Sequence, residues 1–178
     1  LEVADPTIMD RRPVVVKVQN LPRADRPQWA LSLADLVYEY YTEFGTTRFA
    51  AVYYGENATQ VAPIRSARLF DFNVVRAYKA MFIFGSAYET TYWKLVNSEF
   101  SRRLMLESAN TAGVIFRYDP NGKNYEMADL TKVNDFTKRM GIDNTRPDLN
   151  GMLFQLQAPA GGEDASQVYV RFSGAIFN

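Results

Sequence analysis

The apolar positions along the chain follow two periods. Pro13-Val14-Val15-Val16-Lys17-Val18 is a nearly continuous apolar run, the pattern of a strand buried on both faces. Ala80-Met81-Phe82-Ile83-Phe84 and Gly113-Val114-Ile115-Phe116-Arg117 repeat it. Between and after these runs the spacing changes to three and four. Ala67, Phe70, Val74 and Tyr78 predict one stripe of a helix that starts at Ser66 as N-cap and ends near Ala77. Ser86-Ala87-Tyr88-Glu89 has the form of a capping box and opens a second helix. Leu130, Val133, Phe136 and Met140 mark a third, with Asp129 as N-cap and Gly141 at its end.

Residues 36–54 predict a hairpin. Leu36 to Glu43 and Arg48 to Tyr54 are rich in strand formers, and Gly45 suits the first central position of a type II′ turn in Phe44-Gly45-Thr46-Thr47. That turn places Glu43 opposite Arg48, Tyr41 opposite Ala50 and Glu39 opposite Val52, so Glu39, Glu43 and Arg48 share one face. A competing pattern makes Ser32 the N-cap of a helix through Tyr41; the Val-Tyr-Tyr-Tyr content favours the strand. Pro22 and Pro27 impose a loop on Asn20–Pro27.

Together these patterns predict an α/β domain: a mixed β-sheet with an N-terminal hairpin, βαβ units and helices on both faces, with α+β as the alternative. Residues 1–12 are expected to be a polar leader, 13–157 the domain and 158–166 a Pro/Gly-rich linker. Residues 167–178 are expected to begin a C-terminal domain or a return strand. The chain starts at Leu1, not at an initiator methionine, and is expected to be a trimmed piece of a longer protein.

Composition narrows the chemistry. The 178 residues include no cysteine and no histidine, with 20 basic and 20 acidic side chains. Disulfides, thiolate and imidazole metal sites, and His-based catalytic triads are therefore excluded. Balanced charge speaks against a nucleic-acid partner. An aromatic content of 14% supplies rings for a sheet-rich core; Tyr38, Tyr40, Tyr41, Tyr53 and Tyr54 either pack across strands or line a groove.

The densest polar cluster is Arg65-Ser66-Ala67-Arg68 at the expected helix start. Two guanidinium groups and a hydroxyl beside a helix N-terminus suit a phosphate or carboxylate; the alternative is a structural ion pair with Glu39 or Glu43. Glu39 and Glu43, four apart on a strand, stand about 13 Å from each other, too far for a carboxylate pair flanking one bond. Either could act alone as a base. Asp119-Pro120-Asn121-Gly122-Lys123-Asn124 departs from a calcium loop: its glycine is fourth instead of sixth, and Lys123 takes a ligand place. No metal or cofactor is expected.

The ordered set Arg12-Pro13-Val14-Val15-Val16, Arg26-Pro27-Gln28, Ala34-Asp35-Leu36-Val37-Tyr38-Glu39, Glu43, Gly45-Thr46-Thr47-Arg48-Phe49 and Pro63-Ile64-Arg65-Ser66-Ala67-Arg68 resembles the YerB-like family over about residues 12–140. The resemblance implies a bacterial, lipid-anchored extracytoplasmic protein of unknown biochemical function with a second, C-terminal domain. Its recurrent polar positions fall on Asn20, Asp35, Glu39, Glu43, Arg48, Arg65, Ser66 and Arg68. It also implies a His-Asn pair after the third core strand, where this chain has Lys123-Asn124.

The favoured expectation is a domain that binds an anionic small molecule or cell-wall fragment through Arg48, Arg65, Ser66 and Arg68, with Asn20 and Asp35 nearby. A hydrolase using Glu39 or Glu43 as base is the second, and a structural envelope protein the third. Contact with a membrane is expected only through a lipid anchor outside this chain.

Overall fold

The computed structural model describes residues 6–118, 125–150, 157 and 160–169. A five-stranded sheet forms the centre, in the order β2-β3-β1-β4-β5. The central strand β1 is Val14–Gln19, and all six of its residues are buried, as the apolar run predicts. On one side of it lie β3 (Thr47–Tyr53) and β2 (Leu36–Tyr41), antiparallel. On the other lie β4 (Met81–Ile83) and β5 (Leu104–Met105), parallel to it. The α/β reading with a mixed sheet and an N-terminal hairpin holds.

Alternation along β1 sorts the core into two layers. Val14, Val16 and Val18 join Ala51, Tyr53, Met81 and Ile83 beneath α3 (Val133–Met140). Val15 joins Tyr40, Ala50, Val52, Phe82 and Phe84 beneath α1 (Asp71–Ala77) and α2 (Glu89–Val96). Helices thus cover both faces. A small separate sheet pairs β6 (Ile115–Tyr118) with β7 (Tyr125–Ala128). Residues 6–12 dock onto this body: Arg11 donates to Asn57 Oδ1 at 2.7 Å, and Arg12 pairs with Asp143 at 2.5 Å.

Four local expectations are corrected. The hairpin does not close in a two-residue II′ turn. Phe44 and Gly45 both have positive φ, 52° and 72°, and the Thr46 amide donates to the Glu43 carbonyl at 2.9 Å, the form of a type I′ turn. Tyr41 then faces Thr47 and Glu39 faces Phe49, a shift of three residues. An odd shift moves every side chain of one strand to the other face relative to its partner, so Glu39 and Arg48 lie on opposite faces. Burial explains the choice. The expected pairing would have set Glu39 and Glu43 beside Ala50 and Val52 under α1; the observed one sets Tyr38 and Tyr40 there.

The first helix starts at Asp71 instead of Ser66. Residues 65–67 are held extended by tertiary pairing: the Arg65 amide donates to Lys17 O at 2.9 Å, and the Ala67 amide to Ser86 O at 2.7 Å. That pairing overrides the local N-cap preference of Ser66. The capping box at Ser86 does not form either; α2 opens at Glu89 without a side-chain cap, and the Ser86 hydroxyl meets that of Ser66 at 2.7 Å. The third apolar run forms β6 of the small sheet, while the two-residue β5, too short to leave a period, takes the parallel place beside β4. The third helix ends as predicted, with Gly141 left-handed at φ 60°; Asp129 caps a 3-10 turn, Leu130–Lys132, and the α-helix proper begins after it at Val133 without a side-chain cap.

The Asp119–Asn124 turn, including Lys123-Asn124, lies outside the described residues. So does half of the expected strand at 167–172; Gln167, Val168 and Tyr169 are exposed and outside any strand.

Candidate functional site: an arginine cluster at the strand ends

The chain leaves β1 toward β3 on one side of the sheet and returns to β4 on the other. The carboxyl ends of these two neighbouring parallel strands are therefore a topological switch point, the usual place for a ligand in open α/β sheets. Residues 61–67 cross this end. Ile64 bridges to Val18 and Ala67 to Ala87, and this route delivers Arg65 and Ser66 to the strand ends. Arg48, opposite Gln19 at the start of β3, and Glu43, in the hairpin turn, stand at the same end.

Glu43 organises two of the three arginines. Arg68 donates to it through Nε at 2.8 Å and also through Nη2. Arg48 Nη2 reaches the same carboxylate at 3.3 Å. Each also donates to a main-chain oxygen: Arg48 to Ser66 at 3.0 Å, and Arg68 to Ala67 at 2.9 Å. The hydrogen bond from Arg68, reinforced by both positive charges, holds the Glu43 carboxyl below the usual range. This is the structural ion pair that the sequence offers as an alternative at Arg68, and it reaches Glu43, not Glu39.

Arg65 differs. Among the described residues its side chain hydrogen-bonds only the carbonyl of Ile64, at 3.1 Å, and no carboxylate forms an ion pair with it. Beside it sit the hydroxyls of Ser66 and Ser86.

Under the cluster lies a group of fully buried polar residues. Lys17 and Asp71, each with a side chain 0% exposed, pair at 3.3 Å, and Tyr40 bonds to both. Asp71 Oδ2 also accepts the Arg68 amide at 2.6 Å. Desolvation lowers the Lys17 pKa to about 8 against the pull of Asp71. One signal for this group was visible: a lysine inside an otherwise apolar valine strand. Glu126 on β7, 8% exposed, gave no such signal.

The other sequence candidates are placed apart and are engaged by protein groups. Glu39 accepts from Asn20 at 2.9 Å and Thr47 at 2.7 Å. The Asn20 carbonyl oxygen accepts from Arg26 at 2.8 Å. Asp35 Oδ2 accepts the amides of Tyr54 and Gly55 at 2.6 and 3.0 Å, at the opposite end of β3. Of the tyrosines, Tyr40 and Tyr53 are core residues, and Tyr38 bonds Tyr78 at 2.5 Å. Three clefts of about 290, 560 and 470 Å³ lie elsewhere on the surface and are lined by other residues.

Gly85 marks how closely the site is packed. A Cβ there would stand 2.5 Å from Glu126 Oε2. Gly85→Ala should lower stability by about 1 kcal/mol, measured by urea unfolding. A double-mutant cycle should show that cost shrinking in a Glu126→Ala background.

Comparison with known proteins places the chain. Residues 1–143 match the family model described as the N-terminal domain of a protein of unknown function, DUF3048. Over 76 residues the chain is 40% identical to the Bacillus subtilis (strain 168) protein named "Putative lipoprotein YerB", an alignment taking in 43% of this chain and 23% of that protein. The crystal structure of YerB from Bacillus subtilis superposes with a TM-score of 0.72 at 26% identity, covering 86% of this chain and 52% of that one. The chain spans about half the length of that solved relative. It belongs to the DUF3048 N-terminal domain family, a family of unknown function, and is similar to a protein named as a putative lipoprotein.

Proposed function

We propose that this domain is the ligand-binding part of a lipid-anchored, extracytoplasmic protein. Its ligand is a small anionic or polar molecule, such as a cell-wall fragment, held at Arg65 and Ser66 with Arg48 and Arg68 alongside. The observation that carries this reading is the contrast among the three arginines. Arg48 and Arg68 are engaged by Glu43 and main-chain carbonyls, whereas Arg65 stands at the strand ends without a carboxylate. Among the described residues, four cationic side chains, Lys17, Arg48, Arg65 and Arg68, meet only Glu43 and Asp71 in ion pairs, so the local field favours an anion. The anchor is inferred from the name of the relative; no helix among the described residues is long and apolar enough to cross a membrane. Binding is favoured over hydrolysis because Glu43 is held ionised and saturated by arginines, and Glu39 is occupied by Asn20 and Thr47.

A thermal-shift screen of anionic metabolites and cell-wall fragments tests this. A true ligand at a hundredfold excess over its Kd adds about 2.7 kcal/mol, a rise of about 5–10 °C for a chain of this size. Arg65→Ala should abolish the rise, and Arg76→Ala, an exposed arginine on α1, should leave it intact. Stabilisation that survives Arg65→Ala would overturn the assignment.

A further inference from the structure

Only two buried side-chain oxygens among the described residues lack a hydrogen-bond partner, Gln19 Oε1 and Glu126 Oε1. The Gln19 side chain is nonetheless tied down, donating through Nε2 to Asp25 at 2.5 Å. Glu126 is different: among the described residues its carboxyl forms no hydrogen bond or ion pair. A buried carboxyl without a partner destabilises the fold, and its place beside the arginine cluster suggests where a partner comes from. The Ile64 amide donates to Glu126 O at 2.9 Å, and the Gly85 amide to Arg65 O at 3.1 Å. The two connections set Arg65 and Glu126 about the same Gly85-Ser86 step. Oε2 occupies the space that any side chain at position 85 would fill. Arg65 acts on Glu126 electrostatically without forming an ion pair with it among the described residues.

We propose that Glu126 is the second recognition residue of the Arg65 site and that the ligand is a hydroxy acid or sugar acid, its carboxylate on Arg65 and a hydroxyl on Glu126. This rests on the binding role of Arg65 proposed above. The charged groups facing Glu126 are Glu107, Arg117 and Arg65. Burial, aided by Glu107, shifts its carboxyl toward the neutral form against the two arginines. A carboxyl oxygen accepts a hydrogen bond from a hydroxyl, which supplies the partner that Glu126 Oε1 lacks. The exposed hydroxyl of Ser86, with that of Ser66, offers further contacts to a polyhydroxylated ligand.

Calorimetric titration at pH 7 with sodium sulfate and sodium D-gluconate tests the assignment. Sulfate reports on the cation alone; gluconate adds hydroxyls. The wild type should bind gluconate about tenfold more tightly than sulfate. Glu126→Leu should remove that advantage, leave sulfate bound at least as tightly, and leave the unliganded Tm unchanged or higher. Glu126→Gln, which keeps both hydrogen-bonding functions, should retain the preference. If the leucine variant fails to fold, Gly85→Ala supplies the same test by pushing the carboxyl aside. A gluconate preference that survives Glu126→Leu or Gly85→Ala overturns the role of Glu126 and spares Arg65, as does a wild type that binds the two anions alike. Binding unaffected by Arg65→Ala, or no saturable binding of either anion, overturns both.

Discussion

Asp71→Ala should lower the unfolding free energy by about 3–5 kcal/mol. The residue is fully buried and is the acceptor for three donors: the Lys17 ammonium, the Tyr40 hydroxyl and the Arg68 amide. Removing it strands an ammonium in the middle of the sheet, on the central strand, without its counter-charge. A buried pair is costly to break and cheap to replace as a whole. Lys17→Met combined with Asp71→Asn should therefore recover most of the loss, because asparagine still accepts from Tyr40 and from the Arg68 amide. Urea unfolding of the two singles and the double reads this directly; strictly additive losses would contradict the account. The same group sets the pH profile. The unfolded lysine holds its proton to about pH 10.5, while the folded one releases it near 8. Unfolding between those values takes up a proton, so stability should rise with pH across that window. Above about pH 10 the trend should reverse, because burial keeps Tyr40 and Tyr53 protonated in the fold beyond their ordinary range.

Glu43→Ala should cost about 2 kcal/mol and at the same time tighten sulfate binding. The carboxylate sits 32% exposed between two arginines whose side chains are 18% and 24% exposed, so solvent screens part of the loss. What remains is the release of two guanidinium groups at the strand ends next to Arg65. If the cluster were only a structural ion pair, stability would fall and sulfate affinity would not change. If it is an anion site with one internal counter-ion, removing that counter-ion makes the site more cationic, and affinity should rise severalfold at low salt and less at high salt.

The legible parts of this fold were the ones with long periods. Six consecutive buried residues in β1 leave a valine run that only a central strand satisfies, and α3, with the 3-10 turn that Asp129 caps before it, carries its stripe and its terminal Gly141 in order. The site was legible as a cluster of residue types, Arg65, Ser66 and Arg68, but not as a geometry. Its placement depends on Arg65 and Ala67 pairing with Lys17 and Ser86, contacts between segments far apart in sequence that no local pattern encodes. The hairpin failed for a related reason. Gly45 announces a turn, yet which central position it takes is decided by which face of β2 is buried, and a three-residue difference there separates Glu39 from Arg48. Glu126 was invisible because Tyr125-Glu126-Met127-Ala128 is too short a strand to show that its glutamate is buried.

The central claim is that Arg65, alone among the clustered arginines, is available to an external anion. Arginine Nε–H resonances in a two-dimensional NMR titration with sodium sulfate observe it atom by atom. The account predicts a saturable shift of the Arg65 Nε–H and of the Ser66 and Ser86 amides, with Arg68 Nε–H, held by Glu43, nearly unmoved. A titration in which Arg65 stays still while sulfate shifts residues elsewhere would contradict it.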